Sequence, residues 1–446
     1  MRASLGAWLF GLAVAAVGCG DGGAGVRPKP PALGTAPTAS SESPESDDAV
    51  SSSSDPQLDA MIERTLMEVA GTRQLVVKRR VRGERLGRDE VIERVMAKAE
   101  RDIPKGVLDA QGDLLRSLGL MPADYDFVGG IYALLERNVA GFYDEDSDTM
   151  FLLDDLGMAD RETLVHELEH ALQDQHFDLD RLIGYTPGES DRVTATHAIA
   201  EGDAMSTMFE VMNGNAFLID AAALRFMMVA SVAIVEGGQE TPRVLQASLI
   251  APYVDGYRFV QSLRERGGWN AVNAAFREPP ASTEQLLHLD KYDAREPPIV
   301  VAKPAPPPGE GWTDKDADVL GEQGLRMVFE QWGRVAVAAD AAAGWGGDRY
   351  RVVERPHPDG GVAVAAAWLV VFDDEAEAEQ AEKLVRAEHA KACTERKVVG
   401  PFAYRRRGAA LAMVAGPFHK KDGVARASAG DCKGASAWLD AILATR

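Results

Sequence analysis

Cysteine is scarce in this sequence, with three residues among 446. So few thiols exclude a disulfide-rich scaffold at this length. Basic residues are outnumbered, with 48 Lys and Arg against 69 Asp and Glu, which leaves a formal net charge of −21. This acidic balance argues against a nucleic-acid partner, because phosphate binding needs basic surface. A hydrophobic fraction of 46% nevertheless suits a folded protein, and about 150 residues per domain suggests two or three domains.

Apolar runs long enough to span a membrane are also missing. The stretch 216–235 is strongly apolar, but Asp220 and Arg225 interrupt it, which predicts a buried core helix rather than a membrane span. The stretch 5–17 is shorter still. Together with the preceding Arg2, it is typical of the hydrophobic region of a signal peptide.

The signal-like stretch ends in Ala-Val-Gly-Cys at residues 16–19, which resembles the cleavage box of bacterial lipoproteins. The resemblance implies a lipoprotein signal peptide over residues 1–19 and a lipid on Cys19. It implies a protein anchored to a bacterial membrane and facing the periplasm or the cell surface. Gly20 in place of a retention Asp favours the outer membrane. The alternative is an ordinary signal peptide with an incidental Cys19.

Residues 20–55 are rich in Gly, Pro, Ser and acids, a composition that predicts a disordered tether. If Cys19 carries lipid, Cys393 and Cys432 remain. Outside the cytoplasm, two thiols in one domain predict a disulfide, and two buried free thiols are the alternative.

The remaining chain predicts an α+β fold in two parts. Residues 56–303 carry mainly helical periodicity, with one β-hairpin around the acidic turn at 144–148. Residues 304–311 form a proline-rich joint. Residues 312–446 alternate predicted strands and helices, which indicates a smaller α+β C-terminal domain.

Histidine is scarce too, but four of the eight lie between residues 166 and 197. Two of them belong to the sequence His-Glu-Leu-Glu-His at 166–170. On a helix, His166 and His170 are one turn apart and share a face, so both imidazoles can bind one metal ion. Glu167 can reach a water beside that ion and take its proton. The pattern predicts a zinc (Zn²⁺) site with Glu167 as general base.

A zinc hydrolase needs a third protein ligand. Glu201 lies on a second predicted helix, in Glu-Gly-Asp-Ala at 201–204. His176 lies ten residues after His166, and His197 lies one helical turn before Glu201. All three are candidates.

The pair His-Glu-x-x-His followed by a helix with Glu-Gly-x-Ala resembles the gluzincin peptidases. This resemblance implies a zincin-like metallopeptidase domain with Glu201 as third zinc ligand. His176 instead matches the spacing of the metzincin peptidases, but their turn needs Gly where this chain has Gln173. The string HELEHALQDQHFDL at 166–179 is also similar to uncharacterised bacterial zincin-like lipoproteins.

Further residues could contribute to the site through hydrogen bonds or substrate contacts. His197 could hydrogen-bond a metal ligand from the same helix face. His288, Tyr253 or Tyr257 could donate a hydrogen bond to the oxyanion of a tetrahedral intermediate. A strand of the predicted hairpin could pair with an extended peptide substrate.

The sequence therefore predicts a membrane-tethered, extracytoplasmic zinc metallopeptidase that acts on a peptide or protein substrate. Two alternatives remain. One is a non-catalytic zincin-like lipoprotein that binds protein or cell-wall partners. The other is a zinc hydrolase of non-peptide amides or esters, because the same ligands serve those reactions.

Overall fold

The computed structural model describes residues 55–104, 106–154, 161–235, 241–389, 399–426 and 432–444. The predicted signal peptide, Cys19, all of the predicted tether except Asp55, and Cys393 lie outside these residues. The chain is α+β, as predicted, with two sheets among many helices. Within the described residues, no helix has both the length and the apolar character needed to cross a membrane.

The N-terminal part is mainly helical, as predicted, and its elements pack around one small sheet. Its helices are α1 (Pro56–Arg73), α2 (Arg88–Asp102), α3 (Val107–Ser117), α4 (Phe127–Asn138), α5 (Arg161–Phe177), α6 (Leu179–Ile183), α7 (Ser190–Asn213), α8 (Ala221–Val235), α9 (Arg243–Arg277), α10 (Thr283–Leu287) and α11 (Leu289–Ala294). Its strands are β1 (Arg82–Leu86), β2 (Gly141–Asp144) and β3 (Thr149–Leu153).

The predicted hairpin is present as the antiparallel pair β2–β3. The sheet order is β1-β3-β2, with β1 parallel to β3. Helical periodicity had predicted no strand between α1 and α2, so β1 corrects that expectation. Its Gly83 allows the strand to pack closely against α1. A Cβ at Gly83 would lie 2.4 Å from Ile62 Cδ1, so the strand is pressed against α1.

Helix α8 corrects the prediction of a buried core helix over 216–235. Leu224 and Met228, one turn apart, are buried, but Phe226 and Val229 are 75% and 51% exposed. The helix therefore lies on the surface and packs through one stripe. Its overall apolar composition does not reveal this, because only neighbouring elements decide which helix face is covered.

The C-terminal part forms one antiparallel sheet with flanking helices. Its strands are β4 (Thr313–Asp316), β5 (Trp345–Pro356), β6 (Val362–Phe372), β7 (Phe402–Arg407), β8 (Ala410–Lys421) and β9 (Val424–Arg426). Its helices are α12 (Gly321–Phe329), α13 (Val335–Ala342), α14 (Glu375–His389) and α15 (Cys432–Ala444). The strand order is β4-β5-β6-β8-β7, and β9 pairs with β8.

The two faces of this larger sheet pack differently. Trp345, Trp368 and Phe418 belong to the cluster of buried side chains that also contains Leu58 and Leu168 of the N-terminal part. The other face is covered by α15 through Trp438 and its neighbours. The predicted boundary at 304–311 stays a prediction, but buried side chains from both sides of it form one continuous core.

The proline-rich segment lies on the C-terminal sheet. Trp438 of α15 donates its indole N–H to Ala305 O at 2.7 Å, and Arg351 of β5 donates to Pro304 O at 2.9 Å. Cys432, at the start of α15, is disulfide-bonded. Cys393 lies outside the described residues, so its predicted pairing with Cys432 stays a prediction.

Candidate metal centre

Helix α5 carries the His-Glu-x-x-His sequence, and its packing explains how the motif is held. Leu164, Leu168 and Leu172 form the predicted apolar stripe and are at most 3% exposed. His166 and His170 lie one turn apart on another face and are also buried. The stripe therefore anchors α5 in the core, and the imidazoles face the neighbouring helix α7.

Glu201 of α7 meets these two histidines. Its Oε2 lies 3.2 Å from His166 Nε2 and 3.6 Å from His170 Nε2, and the two Nε2 atoms are 3.1 Å apart. The three residues are the one group found among the described residues that could hold a metal ion. The structure thus brings the three predicted ligands together, although His166 and Glu201 lie 35 positions apart in the sequence.

The spacing of the three atoms tests whether a metal fits. Zinc bonds of 2.0–2.1 Å in a tetrahedron place ligand atoms about 3.3 Å apart. The separations of 3.1, 3.2 and 3.6 Å agree with this value. Two imidazole nitrogens and one carboxylate oxygen are also a donor set that zinc accepts. The residues therefore fit such an ion.

Glu201 is held at its second oxygen as well. His197, one turn earlier on α7, donates from Nε2 to Glu201 Oε1 at 2.9 Å. The side chain of Tyr253 on α9 also hydrogen-bonds Glu201, and its ring centroid lies 6.0 Å from that of His166. His197 therefore positions the third donor residue, as the sequence suggested for a residue on that face.

A close crossing of α7 and α9 sets the position of Glu201 and Tyr253. A Cβ at Gly202 would lie 2.1 Å from the carbonyl carbon of Gly256, and one at Gly256 would lie 1.7 Å from Ala198 O. Only glycine permits such an approach. The Gly of the Glu-Gly-x-Ala sequence thus lets the helix with Glu201 touch the helix with Tyr253.

A buried polar chain behind His170 was not predicted from the sequence. Gln173 donates its amide N–H groups to Ala200 O at 3.0 Å and to Asp203 Oδ2 at 3.1 Å. Its Oε1 must then accept, so the 2.9 Å contact means that His170 donates from Nδ1. His170 Nε2 is therefore the nitrogen that faces Glu201, and a metal bound there would take the place of its proton.

The chain continues to Arg73 of α1. Arg73 donates from Nε to Asp203 Oδ1 at 2.8 Å, and its Nε lies 3.4 Å from Glu169 Oε1. All three side chains are buried, and the Arg73 guanidinium also stacks on Trp269 at 4.5 Å. The sequence held one usable signal, because Glu169 lies within the motif and Gln173 follows it one helical turn later.

Glu167 lies beside the donor atoms and is anchored by the hairpin. Its Oε2 accepts the backbone N–H of Tyr143 on β2 at 3.1 Å, and its side chain is buried. The outer edge of β2 therefore faces the motif helix. Strand β3 pairs on both sides, so of the two hairpin strands only β2 has an edge available to a peptide.

The electrostatics favour positive charge between the donors. Burial raises the pKa of Glu201, but the neighbouring imidazoles, His170 foremost, outweigh it and hold that pKa well below its usual range. Burial lowers the pKa of His170, yet the Glu201 carboxylate more than reverses this and raises it to about 9. Burial also raises the pKa of Glu167, against the opposing charges of His170 and His166.

The structure does not bring the other candidates to the centre. His176 contacts Val76 O at 2.8 Å through Nε2, because α5 continues through Phe177 and turns that side chain away. His288 contacts Glu322 Oε1 at 2.8 Å, and Tyr257 donates to Ala216 O at 2.6 Å. The unbroken helix explains why metzincin-like ligation by His176 fails.

Comparison with protein families matches residues 310–424 to a domain of unknown function, DUF8575. The matched residues contain β4 to β8 and α12 to α14, and they lie outside the metal centre. No curated protein and no solved structure matches the chain. The chemistry of the centre therefore has to be argued from its own geometry.

Proposed function

We propose that this protein is a zinc-dependent metallopeptidase. The observation that carries the proposal is the convergence of His166, His170 and Glu201 at tetrahedral spacing, with the buried carboxylate of Glu167 beside them. Two ligands on α5 and a third on α7 leave a fourth position for water or substrate, which is typical of catalytic zinc sites.

In this proposal the three side chains hold the metal, and the rest of the site orients them. A bound zinc ion supplies Lewis-acid polarisation of a substrate carbonyl and lowers the pKa of a water at the site. Glu167 accepts the proton of that attacking water and returns it to the leaving nitrogen. The Tyr143 N–H fixes one carboxylate oxygen of Glu167, which leaves Oε1 to receive the proton.

Zinc content and hydrolysis test the proposal directly. We expect one zinc per chain by elemental analysis and cleavage of a peptide library that a chelator abolishes. Glu167→Gln should retain zinc and lower kcat/KM by about 10²- to 10⁴-fold, because it removes the general base. Glu162→Gln, at the start of α5, is the matched control and should keep full activity.

The result decides between the proposal and its rivals. A wild-type chain that binds zinc but cleaves no peptide would favour a non-catalytic binding protein, and turnover restricted to esters or non-peptide amides would favour a different hydrolase. Full peptidase activity in Glu167→Gln would overturn the mechanism.

We also propose that the peptidase works outside the cytoplasm, tethered through Cys19. The disulfide at Cys432 supports an oxidising compartment. Metabolic labelling with a fatty acid should mark the wild-type chain, and Cys19→Ser should abolish the label. If the Cys19→Ser protein still carried the label, the proposed anchor would be refuted, and the proposal for the metal centre would be unaffected.

A further inference from the structure

An apolar cavity of about 190 Å³ lies between the N-terminal helices and the segment matched to DUF8575. Helices α3, α7, α9 and α12 supply its walls, among them Leu114, Val193, Leu245 and Val328. These four side chains are at most 4% exposed. Protein interiors normally hold few voids larger than a water molecule, so a space of this size among packed helices is a candidate ligand site.

The cavity is accessible to solvent. Leu108 and Leu115 of α3, Thr194 of α7 and Met327 of α12 line it and are half-buried. Solvent therefore reaches an apolar lining. A ligand that displaces this water gains the hydrophobic free energy of the covered surface.

The lining restricts the charge of an occupant. No Lys, Arg, Asp or Glu lies among the described residues that line the cavity. An ionised group placed inside would lose its hydration without gaining an opposite charge. Gln111 offers one polar contact, since its Oε1 is buried and has no hydrogen-bond partner among the described residues. The lining therefore favours a neutral occupant, and a hydrogen-bond donor on it would satisfy Gln111 Oε1.

The volume restricts the size. An apolar cavity of about 150 Å³ holds one benzene molecule, so about 190 Å³ accommodates roughly eight carbon atoms. We propose that this cavity binds one neutral apolar chain of about eight carbons, with a hydroxyl or amide N–H directed at Gln111 Oε1.

The cavity adjoins the metal centre through one residue. His197 lines it and also donates to Glu201 Oε1 at 2.9 Å. A bound chain would therefore contact the residue that positions the third metal donor. The binding site itself does not depend on peptidase activity, so it stands or falls separately from the proposed function.

Titration of the full chain with 1-octanol and with octanoate tests whether the cavity prefers a neutral ligand to a charged one. By calorimetry we expect one 1-octanol site per chain and binding of octanoate at least about tenfold weaker, because the lining holds no cation. Zinc content is measured on the same samples. Equal affinity for the two ligands, or no saturable 1-octanol site, would overturn the proposal whatever the hydrolysis assays show.

Filling the cavity tests its location. Thr194→Trp places an indole in the cavity and should weaken 1-octanol binding by about tenfold or more. Arg192→Trp, on the same helix but outside the lining, should bind as the wild type does. If Thr194→Trp does not fold, Ser248→Phe fills the cavity from α9 instead. Unchanged binding in a folded filling variant would place the ligand elsewhere.

The acceptor is tested by Gln111→Leu. This variant should lose the preference for 1-octanol over methyl octyl ether, which has no hydroxyl to donate. A preference kept in Gln111→Leu would refute the role of Gln111.

Discussion

Two of the three candidate donor residues, Glu201 and His170, are each oriented by a neighbouring side chain that is not itself a donor. His197 holds Glu201 at Oε1, and Gln173 holds His170 at Nδ1. Gln173 is itself fixed by Asp203, which Arg73 neutralises within the core. Such partners set tautomer and direction, so most of the precision of this site lies in residues behind the ligands.

We predict that Gln173→Leu weakens zinc binding by about 10- to 100-fold, because His170 Nδ1 loses its acceptor and the imidazole its fixed tautomer. Competition with a chromophoric chelator measures this affinity. His176→Ala, three residues further on the same helix, should bind zinc like the wild type. An unaffected Gln173→Leu, or a weakened His176→Ala, would contradict this assignment.

At the scale of elements, the centre depends on the contact of α5, α7 and α9. Helix α5 brings two donors and the base, α7 brings Glu201 and His197, and α9 brings Tyr253. The crossing at Gly202 and Gly256 draws α7 and α9 together without side chains between them. Strand β2 closes the arrangement through the Tyr143 N–H.

We predict that Gly202→Ala lowers the free energy of unfolding by about 3 kcal/mol, because its Cβ would overlap the backbone of α9. It should also weaken zinc binding, since Glu201 must move with the helix. Urea denaturation measures the stability. Gly71→Ala is the matched control, because a Cβ there meets nothing within 4 Å. It should leave stability equal or slightly higher.

Removal of the metal should loosen the junction of α5 and α7. A ligand that binds only the folded state stabilises it by about 4 kcal/mol at a free concentration a thousand times its Kd. We therefore expect dialysis against a chelator to lower the melting temperature, with recovery on adding zinc. In His166→Ala the chelator should have no effect. An equal shift in that variant would place the stabilising metal elsewhere.

At the scale of the whole molecule, buried polar contacts join the two parts around the core. Gln323 of α12 donates its backbone N–H to Thr283 Oγ1 at 3.1 Å and its side-chain amide to Asp255 Oδ2 of α9 at 2.7 Å. Asp191 of α7 accepts the N–H and hydroxyl of Thr283. Thr283 therefore links α7 of the N-terminal part to α12 of the C-terminal part.

The buried carboxyl of Asp191 makes stability depend on pH. Burial raises its pKa to about 8, despite the opposing hydrogen bonds from Thr283. The folded state then holds a proton that the unfolded chain releases near pH 4. Its contribution to stability is complete below pH 4 and is lost as pH rises through about 8.

We predict that the free energy of unfolding falls as the pH rises from 4 to 8. The Asp191 carboxyl should account for about 1.4 kcal/mol of this fall per pH unit. Asp191→Asn, which resembles the protonated acid, should reduce the slope of the unfolding free energy against pH by this amount. Urea denaturation at pH 5, 6.5 and 8 measures both proteins. Parallel curves would show that Asp191 does not hold the proton.

The local features of the site could be predicted because they depend on spacing along one element. Helical periodicity placed His166 and His170 on one face and the three leucines on another, and the hairpin followed from two apolar runs around an acidic turn. The resemblance to the gluzincin peptidases predicted Glu201 as the third ligand, and in the structure its carboxylate lies beside both imidazoles. Zinc and catalysis stay predictions, as does the lipid anchor.

The tertiary structure decided which element faces meet. The contact of Gln173 with Asp203, the strand β1 and the exposed face of α8 all depend on neighbours remote in sequence. The physical reason is that a side chain's direction follows from its own helix or strand, whereas its partner follows from packing. Here packing is governed by close approaches such as Gly202 to Gly256, which local patterns do not contain.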